Sequence, residues 1–169
     1  MKMAYTIASG RGDTDLLLAG LAQRLHNQGF RICGTVQVNT ECGGGAPCDM
    51  EVFVLPDGPN IRISQSLGKG AQGCRLDREA LEIAVSMVHK RLSGGADLLI
   101  VNKFGKHEAE GRGFRNVIAD ALTLNVPVLV GLSGLNKDAF EEFSGGMAVE
   151  LPPDVKSLIA WAEGHPLAA

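Results

Sequence analysis

Short apolar runs alternate along this chain with longer stretches whose apolar residues recur every three or four positions. Short runs rich in β-branched side chains are typical of buried strands, and a spacing of three to four is typical of amphipathic helices. The strands predicted in this way cover residues 5–9, 30–38, 51–55, 60–64, 98–101, 127–132 and 147–151. Because most of them are separated by a helix, the pattern predicts βαβ units, a parallel sheet and right-handed crossovers.

The predicted helices have continuous apolar faces. In the first, Leu17, Leu21 and Leu25 fall on one side. Asp13 is its natural N-cap and Gly29 its natural C-terminal stop. Four more helices are predicted further along the chain. The second follows an Asp77 cap and has the inward face Leu81, Ala84, Val85, Val88 and Leu92, and the third has Phe114, Val117, Ile118, Ala121 and Leu122. The fourth follows an Asn136 cap and has Ala139, Phe140 and Phe143, and the fifth has Val155, Leu158, Ile159 and Ala162.

The strands at 51–55 and 60–64 enclose the sequence PDGP, whose length suits a β-hairpin accessory to the main sheet. No internal repeat or linker interrupts the alternation. The chain is therefore expected to form a single α/β domain over residues 1–169, with a doubly wound, mostly parallel sheet and helices on both faces. The run Leu98–Val101 is expected in the interior of that sheet.

Composition narrows the function. The 169 residues are 45% hydrophobic and 21% charged, which is ordinary for a globular domain of this length. A net charge of −3 argues against a general nucleic-acid partner. No apolar run approaches a membrane span, and the first ten residues do not form a signal peptide, so we expect a cytoplasmic protein. The 22 glycines predict many special turns and close backbone approaches.

The four cysteines are expected to be free thiols in a reducing compartment. Cys33 falls in a strand pattern and is expected in the core. Cys42 and Cys48 flank the sequence GGGAP and are weak metal-ligand candidates. Their spacing is wider than a zinc-knuckle pair and no second pair follows, so a loop carrying two thiols is the preferred interpretation.

The segment from 97 to 115, DLLIVNKFGKHEAEGRGFR, concentrates polar chemistry directly after a buried strand. Open α/β sheets bind ligands at the carboxyl ends of their strands, so this segment is a candidate site. The alternative is a solvated loop in which Arg112 and Arg115 pair with Glu108 and Glu110 as a lid. His107 is expected to face solvent, although a proton-dependent switch is also open.

A second candidate follows the first strand, where SGRGDTD forms a glycine-rich turn before a helix. This is the arrangement of a P-loop, in which a lysine reaches the β- and γ-phosphates and the next Ser or Thr binds magnesium. Here Asp13 occupies the lysine position and Thr14 follows it. Asn102 and Lys103 end the later strand where an acidic residue would help to hold magnesium. Ordinary helix capping is the alternative role for Ser9, Asp13 and Thr14.

These features partly resemble the P-loop nucleoside triphosphatases of the small, thermophile-type, cancer-related family, mainly in the order of elements. A closer resemblance, covering almost the whole chain, is to the bacterial domain-of-unknown-function family 2478. It rests on ASGRGDTDLLLAGLAQRLHNQGFRICGTVQ, ISQSLGKGAQGCRLD and LLIVNKFGKHEAEGRGFR. The resemblance implies a P-loop-like fold. Members of that family often lie beside molybdate-transport genes, which implies a role with molybdate or tungstate.

The residues themselves favour binding of an oxyanion without hydrolysis. Losing the phosphate lysine and the acidic pair removes metal-assisted chemistry, while amide and cationic groups remain for molybdate, tungstate, sulfate or phosphate. The candidate anion-binding residues are Ser9, Gly10, Arg11, Gly12, Thr14, Gln65, Lys69, Arg75, Asn102, Lys103, Lys106, Arg112 and Arg115. They are expected to meet at one end of the sheet; Lys69 alone is more easily explained as a solvated loop residue.

Two further uses of these residues stay open. One is a divergent nucleotide-binding phosphohydrolase or phosphotransferase that holds metal through Glu108 or Glu110. The other is a subunit contact of a homodimer formed by residues 102–115. The expected partner is a small anion or a nucleotide, with no nucleic acid and no membrane insertion. No catalytic residue and no certain cofactor is assigned.

Overall fold

A computed structural model describes residues 2–39, 49–68 and 75–164. Within them the strands are β1 (Met3–Thr6), β2 (Ile32–Asn39), β3 (Met50–Leu55), β4 (Asn60–Arg62), β5 (Leu98–Val101), β6 (Val128–Gly131) and β7 (Val149–Leu151). The helices are α1 (Asp13–Asn27), α2 (Arg78–Leu92), α3 (Lys106–Ala109), α4 (Arg115–Thr123), α5 (Lys137–Ser144) and α6 (Val155–Ala162), with a 3₁₀ turn at Gly134–Asn136. Each of these helices is too short or too polar to cross a bilayer.

The strands form one sheet in the order β4-β3-β2-β5-β6-β1-β7. The strands β2, β5, β6, β1 and β7 are parallel to one another, and β3 is antiparallel to both of its neighbours, β2 and β4. All four residues of β5 are buried between β2 and β6, as predicted for an interior strand. The doubly wound, mostly parallel sheet is therefore confirmed.

The predicted hairpin forms and extends the sheet. Six residues of β3 pair with β2, from Gly34 opposite Leu55 to Asn39 opposite Met50. Gly34 has φ +120°, and a Cβ there would lie 1.8 Å from the carbonyl oxygen of Ile100 on the other neighbour. A side chain at this position would force β2 and β5 apart, so glycine is required where the sheet changes from parallel to antiparallel pairing.

Two hydrophobic layers enclose the sheet. Leu99 and Val101 point into one with the apolar faces of α2, α4 and α5, while Leu98 and Ile100 point into the other with α1 and α6. This alternation is the period-two pattern of a strand covered on both faces. Cys33 belongs to the first layer, as predicted, and burial raises the pKa of its thiol to about 12.

Several predicted boundaries are wrong. The strands expected to begin at 30 and 147 begin at Ile32 and Val149, and the strand expected to end at 64 ends at Arg62. The first strand was predicted over residues 5–9 but covers Met3–Thr6. Its last residue, Thr6, pairs with Gly131, the last residue of its partner β6. Asp13 does not cap α1, because Gly12 holds the N-cap position with φ 83° and Asp13 is the first helical residue. The Asp77 cap is confirmed, since its carboxylate accepts a hydrogen bond from the Ala80 N–H at 3.0 Å. The Asn136 side chain precedes α5 but makes no cap bond.

Candidate functional site

The carboxyl ends of β1, β6 and β5 lie side by side at one edge of the sheet, because these strands are parallel neighbours. Gly131 ends β6 between the other two. A Cβ there would lie 2.1 Å from the carbonyl oxygen of Asn102 and 3.0 Å from Cγ2 of Thr14. The absence of a side chain at Gly131 thus lets the exit from β5 pack closely against the first turn of α1.

Two local hydrogen bonds hold the turn between β1 and α1. The Asp13 N–H donates to the carbonyl of Gly10 at 3.2 Å, and the Ala8 N–H donates to Oγ1 of Thr14 at 3.1 Å. The Asp13 carboxylate folds back over the turn, since a Cβ added to Gly10 would fall 2.0 Å from Asp13 Oδ2. Negative charge therefore occupies the place where a P-loop directs a lysine.

Asn102 is buried at 3% exposure and joins three elements. Its Oδ1 accepts the backbone N–H of Gln37 in β2 at 2.8 Å, and its Nδ2 donates to Oδ1 of Asp15 in α1 at 2.8 Å. A carboxylate could accept from Gln37 but could not donate to Asp15. The amide is therefore the side chain that fits this position, where a magnesium-binding P-loop protein would place an acid.

The cationic side chains of the predicted site differ in their exposure and contacts. Arg11 and Lys103 are exposed, and within the described residues neither makes an ion pair. Lys106 lies 3.8 Å from Glu110. Arg115 stacks its guanidinium 4.7 Å above the Phe143 ring, so the lid pairing considered for it is wrong. Ser9, Gly10 and Gly12 lie in the turn beside Arg11.

A third predicted group lies farther along the same edge, beyond β2. The Gln65 N–H donates to the carbonyl of Arg75 at 2.7 Å, and the Arg75 guanidinium lies 3.8 Å from Asp49. Lys69 falls outside the described residues, as do Cys42 and Cys48. That Gln65 and Arg75 share one anion with the turn at 9–14 stays a prediction.

His107 is not solvent-facing, as the sequence suggested, but buried at 5% exposure. Its Nε2 lies 2.8 Å from Oε1 of Glu82, which also accepts the Gly113 N–H at 2.9 Å. Its Nδ1 has no hydrogen-bond partner among the described residues. The sequence analysis missed Glu82 because this residue lies in α2, 25 positions before His107. The helical pattern of α2 does not indicate that Glu82 contacts a buried side chain.

Glu108 is also buried and closes the turn that follows α3. Its two oxygens accept the N–H groups of Gly105 at 2.9 Å and of Phe114 at 3.3 Å. Burial raises the pKa of this carboxyl, and the backbone donors oppose that rise. Because both oxygens serve the backbone, the geometry does not favour Glu108 as a metal ligand. In the described residues no three His, Cys, Asp or Glu side chains are grouped to hold a metal ion.

Arg112 lies away from the P-loop-like turn. It lines an open cleft of about 870 Å³ between α2 and α4, together with Arg78, Glu82, His107 and Asn116. The residues described as lining this cleft include none from the turn at 9–14. The predicted anion-binding residues thus form at least two groups along this end of the molecule.

The whole fold has known relatives among solved structures. The chain resembles THEP1 from the hyperthermophile Aquifex aeolicus over 97% of its length and 96% of that chain, with a TM-score of 0.62 and 17% identity. It resembles a human cancer-related nucleoside triphosphatase, solved in solution, over 98% of its length and 100% of that chain, with a TM-score of 0.68 and 16% identity. At these identities the likeness shows the fold alone: the protein has the α/β fold of these two structures.

The chain belongs to the family described as "Protein of unknown function (DUF2478)", which matches residues 3–161. It is 36% identical over 160 residues to a protein of Bradyrhizobium diazoefficiens named molybdenum import ATP-binding protein ModC 2. The match covers 95% of this chain but 18% of that protein. This chain therefore spans about a fifth of its relative's length.

Proposed function

We propose that this protein is a cytoplasmic oxyanion-binding protein on a P-loop-like scaffold and does not hydrolyse nucleoside triphosphates. One observation carries the proposal: at the edge formed by β1, β6 and β5, an acid stands in place of a hydrolytic site's lysine, and an amide stands in place of its acid. Asp13 lies where a phosphate-binding lysine would be, and the amide of Asn102 lies where a magnesium-binding acid would be. Beside them, Arg11 and Lys103 are exposed cations.

The proposed anion site lies between these two cations. Arg11 follows the carboxyl end of β1, and Lys103 follows that of β5. Because β6 lies between these strands, the two strand ends are two strand spacings, about 10 Å, apart. Long cationic side chains can converge over such a gap on a tetrahedral dianion. The first-turn N–H groups of α1 and the hydroxyls of Ser9 and Thr14 would supply further donors. Three or four charge-assisted bonds of about 1.5–3 kcal/mol each, less the ordering cost, would give roughly micromolar binding.

The name of the Bradyrhizobium relative supports molybdate and tungstate as the first ligands to test. That name also mentions ATP binding, but this chain matches 18% of the protein that bears it. A nucleotide is therefore the competing ligand class, and the divergent phosphohydrolase the competing function. Arg75, Gln65 and Lys106 are proposed as outer contributors to the anion site.

Titration calorimetry with molybdate, tungstate, phosphate and sulfate tests the proposal. At least one of the four should bind, and R11A or K103A should each weaken that binding about tenfold for a lost charged bond. R24A is the matched control, because Arg24 is exposed near the opposite end of α1. The proposal fails if none of the four anions binds, or if R11A and K103A bind as tightly as R24A.

The absence of hydrolysis is tested separately, with magnesium and ATP or GTP under saturating conditions. We expect no release of phosphate above the buffer rate. Magnesium-dependent turnover near about 1 s⁻¹, the lower end of common enzymatic rates, would contradict the proposal and favour the phosphohydrolase.

A further inference from the structure

The cleft between α2 and α4 has the dimensions of a ligand site. Its volume of about 870 Å³ is within the range of pockets that hold small organic molecules, about 300–1,000 Å³. Val85 and Val117 form apolar parts of its wall, and the turn at 111–113 also lines it. A tetrahedral oxyanion alone would fill a small part of this space.

A polar pair, His107 and Glu82, lies at the wall of this cleft. The His107 side chain is 4% exposed, yet its Nε2 contacts the half-exposed carboxylate of Glu82 at 2.8 Å. A carboxylate oxygen can only accept, so Nε2 is the donor of this contact. Nδ1 is buried without a partner in the described part of the chain, and buried polar atoms are seldom left so. The contacts of Glu82 with His107 and with the Gly113 N–H hold its carboxylate at the wall of the cleft.

Two arginines are among the residues that line the cleft. Arg78 and Arg112 are exposed, and neither makes an ion pair with any described residue. Two guanidinium groups match the charge and geometry of a phosphoryl dianion. The carboxylates of Glu79 and Glu82 also line the cleft, so a bare anion would meet repulsion. A ligand that combines a phosphoryl group with hydroxyl donors would meet both kinds of charge.

We propose that this cleft binds a small organic phosphate that carries hydroxyl groups. Its phosphoryl group would lie between Arg78 and Arg112, and its hydroxyls would donate to Glu82, whose orientation the buried His107 holds. The site is distinct from the oxyanion site proposed at the β1–α1 turn, and its existence does not depend on that proposal.

AMP, adenosine and inorganic phosphate are the probes for calorimetry. AMP should bind more tightly than either part alone, and R78A or R112A should each weaken AMP binding about tenfold. K90A is the matched control, since Lys90 is exposed in the last turn of the same helix α2. In NMR spectra the His107 ring signals should shift on adding AMP, and this shift should be lost in the double variant R78A/R112A.

The outcomes separate the two sites. R11A and K103A should leave AMP binding unchanged, and R78A should leave molybdate binding unchanged. The cleft proposal is overturned if AMP does not bind at millimolar concentration, or if R78A and R112A bind it as K90A does. It is also overturned if R11A or K103A abolishes AMP binding, because the nucleotide would then occupy the β1–α1 turn.

Discussion

Two polar, glycine-rich segments leave the same edge of the sheet, yet they are built in opposite ways. The turn that follows β1 is exposed at Ser9, Gly10 and Arg11 and is held by short-range backbone bonds. The segment that follows β5 buries polar and aromatic side chains at 102, 104, 107 and 108. The first segment exposes its polar groups, while the second buries many of its own.

Aromatic packing accounts for much of this difference. Phe104 is fully buried, and its ring meets Phe140 edge-on at 5.1 Å and stacks on Phe143 at 5.3 Å. These contacts pull the backbone after β5 into the core and bring Glu108 with it. The β1–α1 turn has no aromatic residue. Similar glycine and charge content therefore does not imply similar burial, and a buried aromatic ring distinguishes the two segments.

The largest expected loss of stability comes from a substitution in the segment that follows β5. E108A removes a buried carboxylate that accepts the Gly105 and Phe114 N–H groups, and should lower the free energy of unfolding by about 3 kcal/mol. D13A, in the exposed turn, should cost less than about 1 kcal/mol, the value of an acid at a helix start. Urea denaturation followed by circular dichroism measures both.

E110A is the matched control for E108A, because Glu110 is exposed and its pairing with Lys106 at 3.8 Å is worth about 0.5 kcal/mol or less. Equal losses for E108A and D13A would show that the buried contacts of the second segment contribute no more to stability than the exposed turn does.

A second substitution breaks the link between the segments. N102D replaces the amide group that donates to Asp15 with a carboxylate oxygen, which should cost about 2 kcal/mol at pH 7. Adding D15N restores a donor opposite the new carboxylate, so the double variant N102D/D15N should recover part of the loss. Denaturation of both variants measures this. If N102D is as stable as the wild type, Asn102 does not bridge β5 and α1.

The fold could be predicted from the sequence because its signals are local. The period of Leu17, Leu21 and Leu25 and the run Leu98–Val101 record which faces are buried. The end of β1 could not be predicted, because it is set by the length of its partner β6. The Asp13 cap was predicted wrongly because Gly12, with φ 83°, takes the cap position instead.

The site was less predictable, because its polar partners are distant in sequence. Asn102 was visible as an amide after a buried strand, but Asp15 lies 87 positions earlier and Gln37 lies 65. His107 and Glu108 looked like solvated residues beside lysine and glutamate. Their burial follows from Phe104, whose contacts with α5 no pattern near residue 107 reveals.

A smaller effect concerns pH. Burial raises the pKa of Glu108, so the folded state keeps this proton to higher pH than the unfolded state. Its contribution to stability is therefore full below the ordinary carboxyl pKa of about 4.3 and is lost as pH rises through the raised pKa. Denaturation from pH 4 to 7 should show the difference in stability between wild type and E108Q narrowing as pH rises. A difference that widens with pH would show that the backbone donors, not burial, dominate.

The smallest expected effect tests whether the turn that follows β1 binds an oxyanion. D13N removes a negative charge from the exposed turn beside Arg11 and should change the stability by no more than about 0.5 kcal/mol. If an oxyanion binds there, its affinity should rise about fivefold, because like charges about 4 Å apart repel by about 1 kcal/mol even in water. Calorimetry with the oxyanion that the wild type binds measures the change, and D138N, at the start of α5, is the control. Unchanged affinity would mean that the anion lies away from the turn. Reduced affinity would mean that Asp13 itself supports the site, either by orienting Arg11 or by holding the turn closed through its contact with Gly10.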